Sequence, residues 1–251
     1  MSEKIIKKNE LAKEYSDINT ASVYIDKRFE APIGRILHEH QVKFINQFIK
    51  ENNIQNVLEI ACGPARLTLE IEGIKQGIAV DFNESMLSVA KERLKRVNKL
   101  DKWRLYQADA FNLDLDKKFD LIYTFRFIRH FMQSDRQLLY NNIKKHLVTQ
   151  GYLIFDVVNE EVSYTQRLKT GIDNFKIYDK LFKRQEFIDE MEKSGFSVVK
   201  LEPVQVHYNL LYKIQIYLAP RSYSLAYRLM KMIEYNFHAN PMEWIALCRL
   251  K

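Results

Sequence analysis

The chain is 251 residues long and 47% hydrophobic, which suits one domain with a substantial core. Its net charge of +7 is spread as +1, +3 and +3 over residues 1–55, 56–159 and 160–251, so it builds no basic tail or block of the kind a polyanion binder carries. No apolar run approaches the roughly 18 residues of a membrane span, the opening MSEKIIKKNELAKEY is too charged for a signal peptide, and Cys62 and Cys248 make neither a disulfide framework nor a metal site. A cytoplasmic protein without a metal is expected.

Residues 1–35 mix aromatic and charged side chains and close on the turn signal APIG at 31–34. Leu37, Val42, Ile45 and Ile49 then recur at roughly helical spacing. NVLEIA (56–61) and GIAVDF (77–82) read as short buried strands. Asn83 can cap a helix that puts Met86, Leu87, Ala90, Leu94 and Val97 on one face. WRLYQADA (103–110) and FDLIYTF (119–125) are further strands. Ser134 and Gln137 are spaced as a capping box for a helix carrying Leu139, Ile143 and Leu147, and Gly151 ends the connection to a fifth strand, YLIFDVVN (152–159). A helix around Phe187, Ile188 and Met191 stops at Gly195, and FSVVKLEPVQVHY (196–208) and MEWIALCRL (242–250) supply two last strands.

Strand and helix alternate through five units, which implies a parallel sheet covered on both faces. The last two strands lack an ordinary crossover helix and suggest an antiparallel pair at one edge. The expected fold is α/β: a doubly wound, mostly parallel seven-stranded sheet with an antiparallel edge strand. One domain over residues 1–251 would carry an N-terminal cap segment (1–40) and a late cap insertion (208–240).

In such sheets ligands bind beyond the carboxyl ends of the strands, where strand order reverses, and the first strand-to-helix turn lies there. Here that turn is EIACGPAR, residues 59–66, with the single glycine Gly63. A dinucleotide fingerprint needs G-x-G-x-x-G and a Walker loop needs Gly-Lys-Ser/Thr, and neither is present. The stretch instead resembles motif I of the class I S-adenosylmethionine-dependent methyltransferases, an acidic residue followed by G-x-G-x-G. Glu59 takes the acidic position and Gly63 the central glycine, while Ala61 and Ala65 replace the outer two. Alanine disfavours positive φ, so these two positions are expected to avoid it.

The resemblance covers roughly residues 40–200 and the C-terminal strand, and it assigns further residues. Asp81 ends the second strand, 22 positions after Glu59, where the family's carboxylate binds the ribose hydroxyls. Asp109 follows the third strand, where the adenine amino group is read, and Phe82 and Ala110 are suited to flank the ring. Thr124 ends the fourth strand, ahead of the segment beside the methionine moiety. S-adenosylmethionine is thus the implied cofactor, with Glu59, Ala61, Gly63, Asp81, Phe82, Asp109, Ala110 and Thr124 as its candidate ligands.

A sulfonium already activates its methyl group, so the protein's main task is to align the nucleophile, which can supply roughly 7–11 kcal/mol. A base is needed only for a nucleophile that arrives protonated. His130, after the fourth strand, is the candidate catalytic base, the alternative being a residue packed under the sheet rim. Arg126 and Arg129 flank it, and Arg28 and Arg35 lie in the N-terminal segment that in this family often folds over the same opening. These four are candidate substrate ligands, with solvated cations as the plainer reading.

The 208–240 stretch holds six of the fourteen tyrosines, and Leu225, Ala226, Leu229, Met230, Met232 and Ile233 make its helix apolar on most faces. Such a helix is normally buried, as an ordinary cap, a lid over an amphipathic substrate, or a homodimer contact. The expected function is methyl transfer to a small-molecule acceptor, anionic or amphipathic. An RNA methyltransferase and a non-catalytic cofactor-binding scaffold are the alternatives. The segment TFRFIRH in place of an Asn-Pro-Pro-Tyr signature, and the lack of an appended RNA-binding module, argue against nucleic acid.

Overall fold

The computed structural model describes residues 29–175, 177–236 and 239–251. All seven expected strands form: β1 (Asn56–Ile60), β2 (Gln76–Asp81), β3 (Trp103–Gln107), β4 (Phe119–Thr124), β5 (Leu147–Asn159), β7 (Phe196–Val206) and β8 (Pro241–Leu250). An eighth, the two-residue β6 (Leu181–Phe182), pairs with the end of β5. The order is β3-β2-β1-β4-β5-β8-β7. Every pairing is parallel except those of β8, which runs antiparallel to both β5 and β7. Strand order therefore reverses between β1 and β4, and the carboxyl ends of β1, β2, β3 and β4 share one rim.

Alternation along the strands makes two cores, one on each face. Leu58 and Ile60, Ile78 and Val80, Leu153 and Phe155 face one way. They pack on Leu139, Tyr140 and Ile143 of α3 (Gln133–His146) and on Phe187 and Met191 of α5 (Arg184–Lys193). Val57, Ala79, Leu121, Tyr123 and Ile154 face the other way. They meet Leu37, Ile45, Phe48 and Ile49 of α1 (Pro32–Glu51) and Leu87, Ala90 and Leu94 of α2 (Glu84–Arg96). The period of two thus divides each buried strand between the helical layers. Gly77 has a local reason: a Cβ there would lie 2.4 Å from ring carbons of Trp103, its partner across β2 and β3.

Several local expectations shift. APIG is the start of α1, with Ala31 at the N-cap and Pro32 at the first helical position, where its missing N–H costs nothing. Met132, not Ser134, caps α3, and Gln137 instead accepts from the Ser194 hydroxyl at 3.0 Å. Leu147 and Gly151 already belong to β5. Val97 is the C-cap of α2 and half exposed. Asn83 and Gly195 hold the cap positions read for them.

After β5 comes α4 (Glu160–Thr170), and the 208–240 stretch forms two helices, α6 (Tyr208–Tyr217) and α7 (Tyr223–Asn236). Ile33 and Ile36 of α1 build a third small core with Leu211, Ile214, Ala226, Met230 and Ile233. Polar bonds close the seam: Glu39 accepts from Tyr227 and Lys231, and Tyr223 donates to the Glu30 carbonyl at 2.9 Å. The helix expected to be buried all round is buried on one stripe, with Leu225 and Met232 about half exposed. Among the described residues, no helix is long and apolar enough to cross a membrane.

Candidate active site

A cavity of about 250 Å³ opens at the rim shared by the carboxyl ends of β1 to β4. Its first wall is the turn after β1. Cys62 donates its amide to the Val80 carbonyl and Ala65 to the Cys62 carbonyl, so the turn doubles back on β2. The tight path places Ala61 at φ +55°, Gly63 at +55° and Ala65 at +60°. The expectation that the alanines avoid positive φ is therefore wrong. The loop keeps the geometry that glycines would favour, with two methyl groups held in the left-handed region. A Cβ built on Gly63 meets nothing within 4 Å, so this residue presents bare backbone to open space.

Glu59 is buried beneath the loop and lines the cavity. Thr68 and Tyr123 donate to its Oε2 at 2.6 and 2.9 Å. Burial pushes its carboxyl up to about 7, against the opposing pull of those two bonds and of Arg66. Burial likewise pushes the Cys62 thiol well up, with Asp81 and Glu59 adding to the effect.

The second wall comes from the ends of β2 and β3. Asp81 accepts from the Gly63 amide at 2.8 Å through Oδ2 and from the Asn83 amide at 2.9 Å through Oδ1. Burial raises its carboxyl above the ordinary range despite these bonds. Two of its roughly four lone-pair sites are used. Phe82 stands next to it, 57% exposed at the mouth. Asp109 accepts from the Phe111 amide at 3.0 Å, starting a short 3-10 turn whose Ala110 and Phe111 also line the cavity.

The third wall follows β4: Phe125, Arg126, Phe127, His130 and Phe131. The Asp156 carboxylate on β5 accepts the Arg126 amide at 2.6 Å, and Arg126 takes φ +59°. In the 3-10 turn Ile128–His130, the His130 Nδ1 lies 2.9 Å from the Tyr178 carbonyl and 3.0 Å from Asp179 Oδ1. Both neighbours are acceptors, so Nδ1 carries the proton and Nε2 is left as the ring's acceptor.

The structure thus brings Glu59, Ala61, Gly63, Asp81, Phe82, Asp109, Ala110, Arg126 and His130 to one cavity. It separates the others. Thr124 is buried at the end of β4, and the wall begins one residue later at Phe125. Arg129 is not positioned for a substrate: it is 5% exposed and paired with Asp156, Asp179 and Glu243 at 3.0, 3.1 and 2.8 Å. Arg35 lies on α1 outside this wall, paired with Glu39 at 3.1 Å and stacked over the Tyr227 ring. Arg28 lies outside the described residues. Among the described residues, none of α1, α6 or α7 lines the cavity. Sequence reading missed Arg66, Met86, Tyr123 and Asp179. The aromatic spacing of FRFIRHF was the available signal for Phe127 and Phe131.

Residues 57–151 match the family model described as a methyltransferase domain. A comparison with curated proteins found no match. Among solved structures, the chain is similar to magnesium protoporphyrin IX methyltransferase from Synechocystis PCC 6803 with bound S-adenosylhomocysteine. The TM-score is 0.62 at 12% identity, covering 88% of this chain and 86% of that one. It is similar to the N-methyltransferase NodS from Bradyrhizobium japonicum WM9, also bound to S-adenosylhomocysteine, with TM-score 0.61, 15% identity and coverage of 96% and 97%. A methyltransferase from Clostridium acetobutylicum ATCC 824 gives 0.60 at 17% identity, covering 96% and 98%. Residues 57–151 thus match a methyltransferase domain, and the chain shares its fold with the S-adenosylhomocysteine-bound methyltransferases to which it is similar.

Proposed function

We propose that the enzyme methylates a small molecule with an apolar, ring-sized body and a nucleophile that arrives protonated. The observation that carries this reading is the third wall, where Phe127 and Phe131, joined by Phe111 of the second wall, line the cavity with His130. Phe131 packs edge-on to the other two at 4.9 and 5.0 Å, giving a rigid aromatic surface. An anionic group on the acceptor would be met by Arg126 in the same wall; Arg129 and Arg35 no longer support that part. An aromatic lining and an evenly spread charge favour such a ligand over a nucleic acid.

The residues present fit S-adenosylmethionine. Gly63 offers bare backbone facing open space, Asp81 keeps acceptor sites for two hydroxyls, and Phe82 with Ala110 can sandwich an adenine beside Asp109. Glu59 offers a carboxylate to an ammonium group. When bound, the cofactor supplies a methyl carbon whose bond to sulfur breaks, with its electron pair, as the acceptor atom bonds to that carbon. His130 Nε2 takes the acceptor's proton, and the aromatic wall holds the nucleophile in line. In this reading α6 and α7 brace α1 and leave acceptor selection to the segment after β4.

Incubation with isotope-labelled cofactor and fractionated cell extract, followed by mass analysis, tests the proposal. A small labelled product should form. His130→Gln should lower its rate at least about 100-fold with S-adenosylhomocysteine affinity unchanged, and Arg126→Ala should raise the acceptor's KM. Label found only in RNA would refute the acceptor class, and unchanged turnover in His130→Gln would refute the base.

A further inference from the structure

The pairing of Arg129 raises a question of charge. Arg129, Asp156 and Glu243 are buried, and Arg167 and Asp179 partly so: Arg129 meets Asp156, Glu243 and Asp179, and Arg167 meets Asp179 at 2.7 Å. These groups come from five places in the chain, namely the turn after β4, α4, β5, β8 and the strap of residues 178–180. Burying so many charges costs several kcal/mol per ion before pairing offsets it, and apolar packing would join the same elements more cheaply. Three carboxylates thus stand against these two guanidiniums. The remaining neighbour is His130, whose Nδ1 is 3.0 Å from Asp179 Oδ1. Arg126 stands next to the cluster in the cavity wall, its amide on Asp156.

Building on the reading of His130 as base, we propose that Asp179 is its positioning residue. Clamped by Arg129 and Arg167, Asp179 acts beside the Tyr178 carbonyl that accepts the Nδ1–H: its charge, 3.0 Å away, favours that tautomer and balances the charge that His130 acquires when Nε2 takes the acceptor's proton. The clamp is built from both sides. Lys180 donates its amide to the Arg129 carbonyl at 2.7 Å, and Tyr178 presents its carbonyl to the ring, so the strap cannot shift without moving the turn that carries His130. Burial alone would raise the Asp179 carboxyl, but Arg129, His130 and Arg167 hold it well below the usual range, so it stays ionised. The ionised Asp179 then stands beside the ring as Nε2 takes the acceptor's proton, which stabilises the charge developing there.

The test is NMR of isotope-labelled histidine in the full chain, with His130→Gln identifying the signal among the six histidines. Wild-type His130 should show the Nδ1–H tautomer, the less common form of free imidazole. Asp179→Asn should shift it toward Nε2–H and lower methyl turnover at least tenfold, with S-adenosylhomocysteine affinity changed less than twofold; Asp179→Glu should recover part of both. An Nε2–H tautomer in the wild type would overturn the proposal without recourse to any variant, as would a tautomer indifferent to Asp179→Asn. Retained turnover in His130→Gln would refute the base reading instead, whatever the tautomer.

Discussion

The left-handed alanines of the first turn allow a quantitative test of the loop. Ala61 at φ +55° and Ala65 at +60° each carry the steric penalty of an L-residue in that region, roughly 1–2 kcal/mol. Glycine removes it but adds unfolded-state entropy of about 0.4–1 kcal/mol. At Ala61, which is partly exposed in the cavity wall, little packing is lost, so Ala61→Gly should stabilise by about 0.5 kcal/mol. Ala65 is fully buried, and its lost methyl removes about 0.8 kcal/mol of burial, leaving Ala65→Gly close to neutral. Gly63→Ala runs the other way, destabilising by about 0.5–1 kcal/mol. It should also weaken S-adenosylhomocysteine binding, because the new methyl projects into the open cavity. Urea unfolding followed by circular dichroism, with and without S-adenosylhomocysteine, measures both quantities. A loss of more than about 1 kcal/mol in Ala61→Gly, together with a neutral Gly63→Ala, would refute the left-handed loop.

Gly77→Ala should destabilise by about 1–3 kcal/mol, since its Cβ would meet the Trp103 ring at 2.4 Å, and Trp103→Leu should relieve the clash in the double variant. Additive losses in a thermal-unfolding cycle would show that this contact is not the cause. His40 lies between Glu202 at 3.4 Å and Glu234 at 3.5 Å, near Tyr235, with Lys200 on Glu202 and Lys43 on the Tyr235 ring. Burial would lower its pKa, but the two carboxylates raise it above 6.5, so its contribution to stability is complete below the unfolded value and fades as pH rises through the raised folded one. Urea midpoints should therefore fall as the pH rises above 6.5, and His40→Gln should flatten that part of the curve; an equal slope in the variant would reject the assignment.

What the sequence made legible follows from range. Glu59, Asp81 and Asp109 could be placed because each lies at or just past the end of a strand, and a parallel sheet brings successive strand ends to one rim wherever the helices pack. The loop's conformation was harder to read. Alanine's own preference pointed to negative φ, yet the amide bonds of Cys62 and Gly63 to β2 override it. APIG and the Ser134–Gln137 pair misled for a related reason. Both are local signals compatible with two registers, and packing of Ile33 and Leu139 selected the one observed.

The arginines show the same limit more sharply. Arg126 and Arg129 are three residues apart, and nothing local separates a cavity-lining guanidinium from a buried one. The distinction is made by Asp156, which takes the Arg126 amide on one oxygen and the Arg129 side chain on the other. Glu243, 114 residues further along, completes the capture. Glu243 reaches Arg129 because β8 enters the sheet antiparallel beside β5, with Val158 opposite Glu243. The insertion of β8 between β5 and β7 thus decides which arginine lines the cavity and which is buried among Asp156, Asp179 and Glu243.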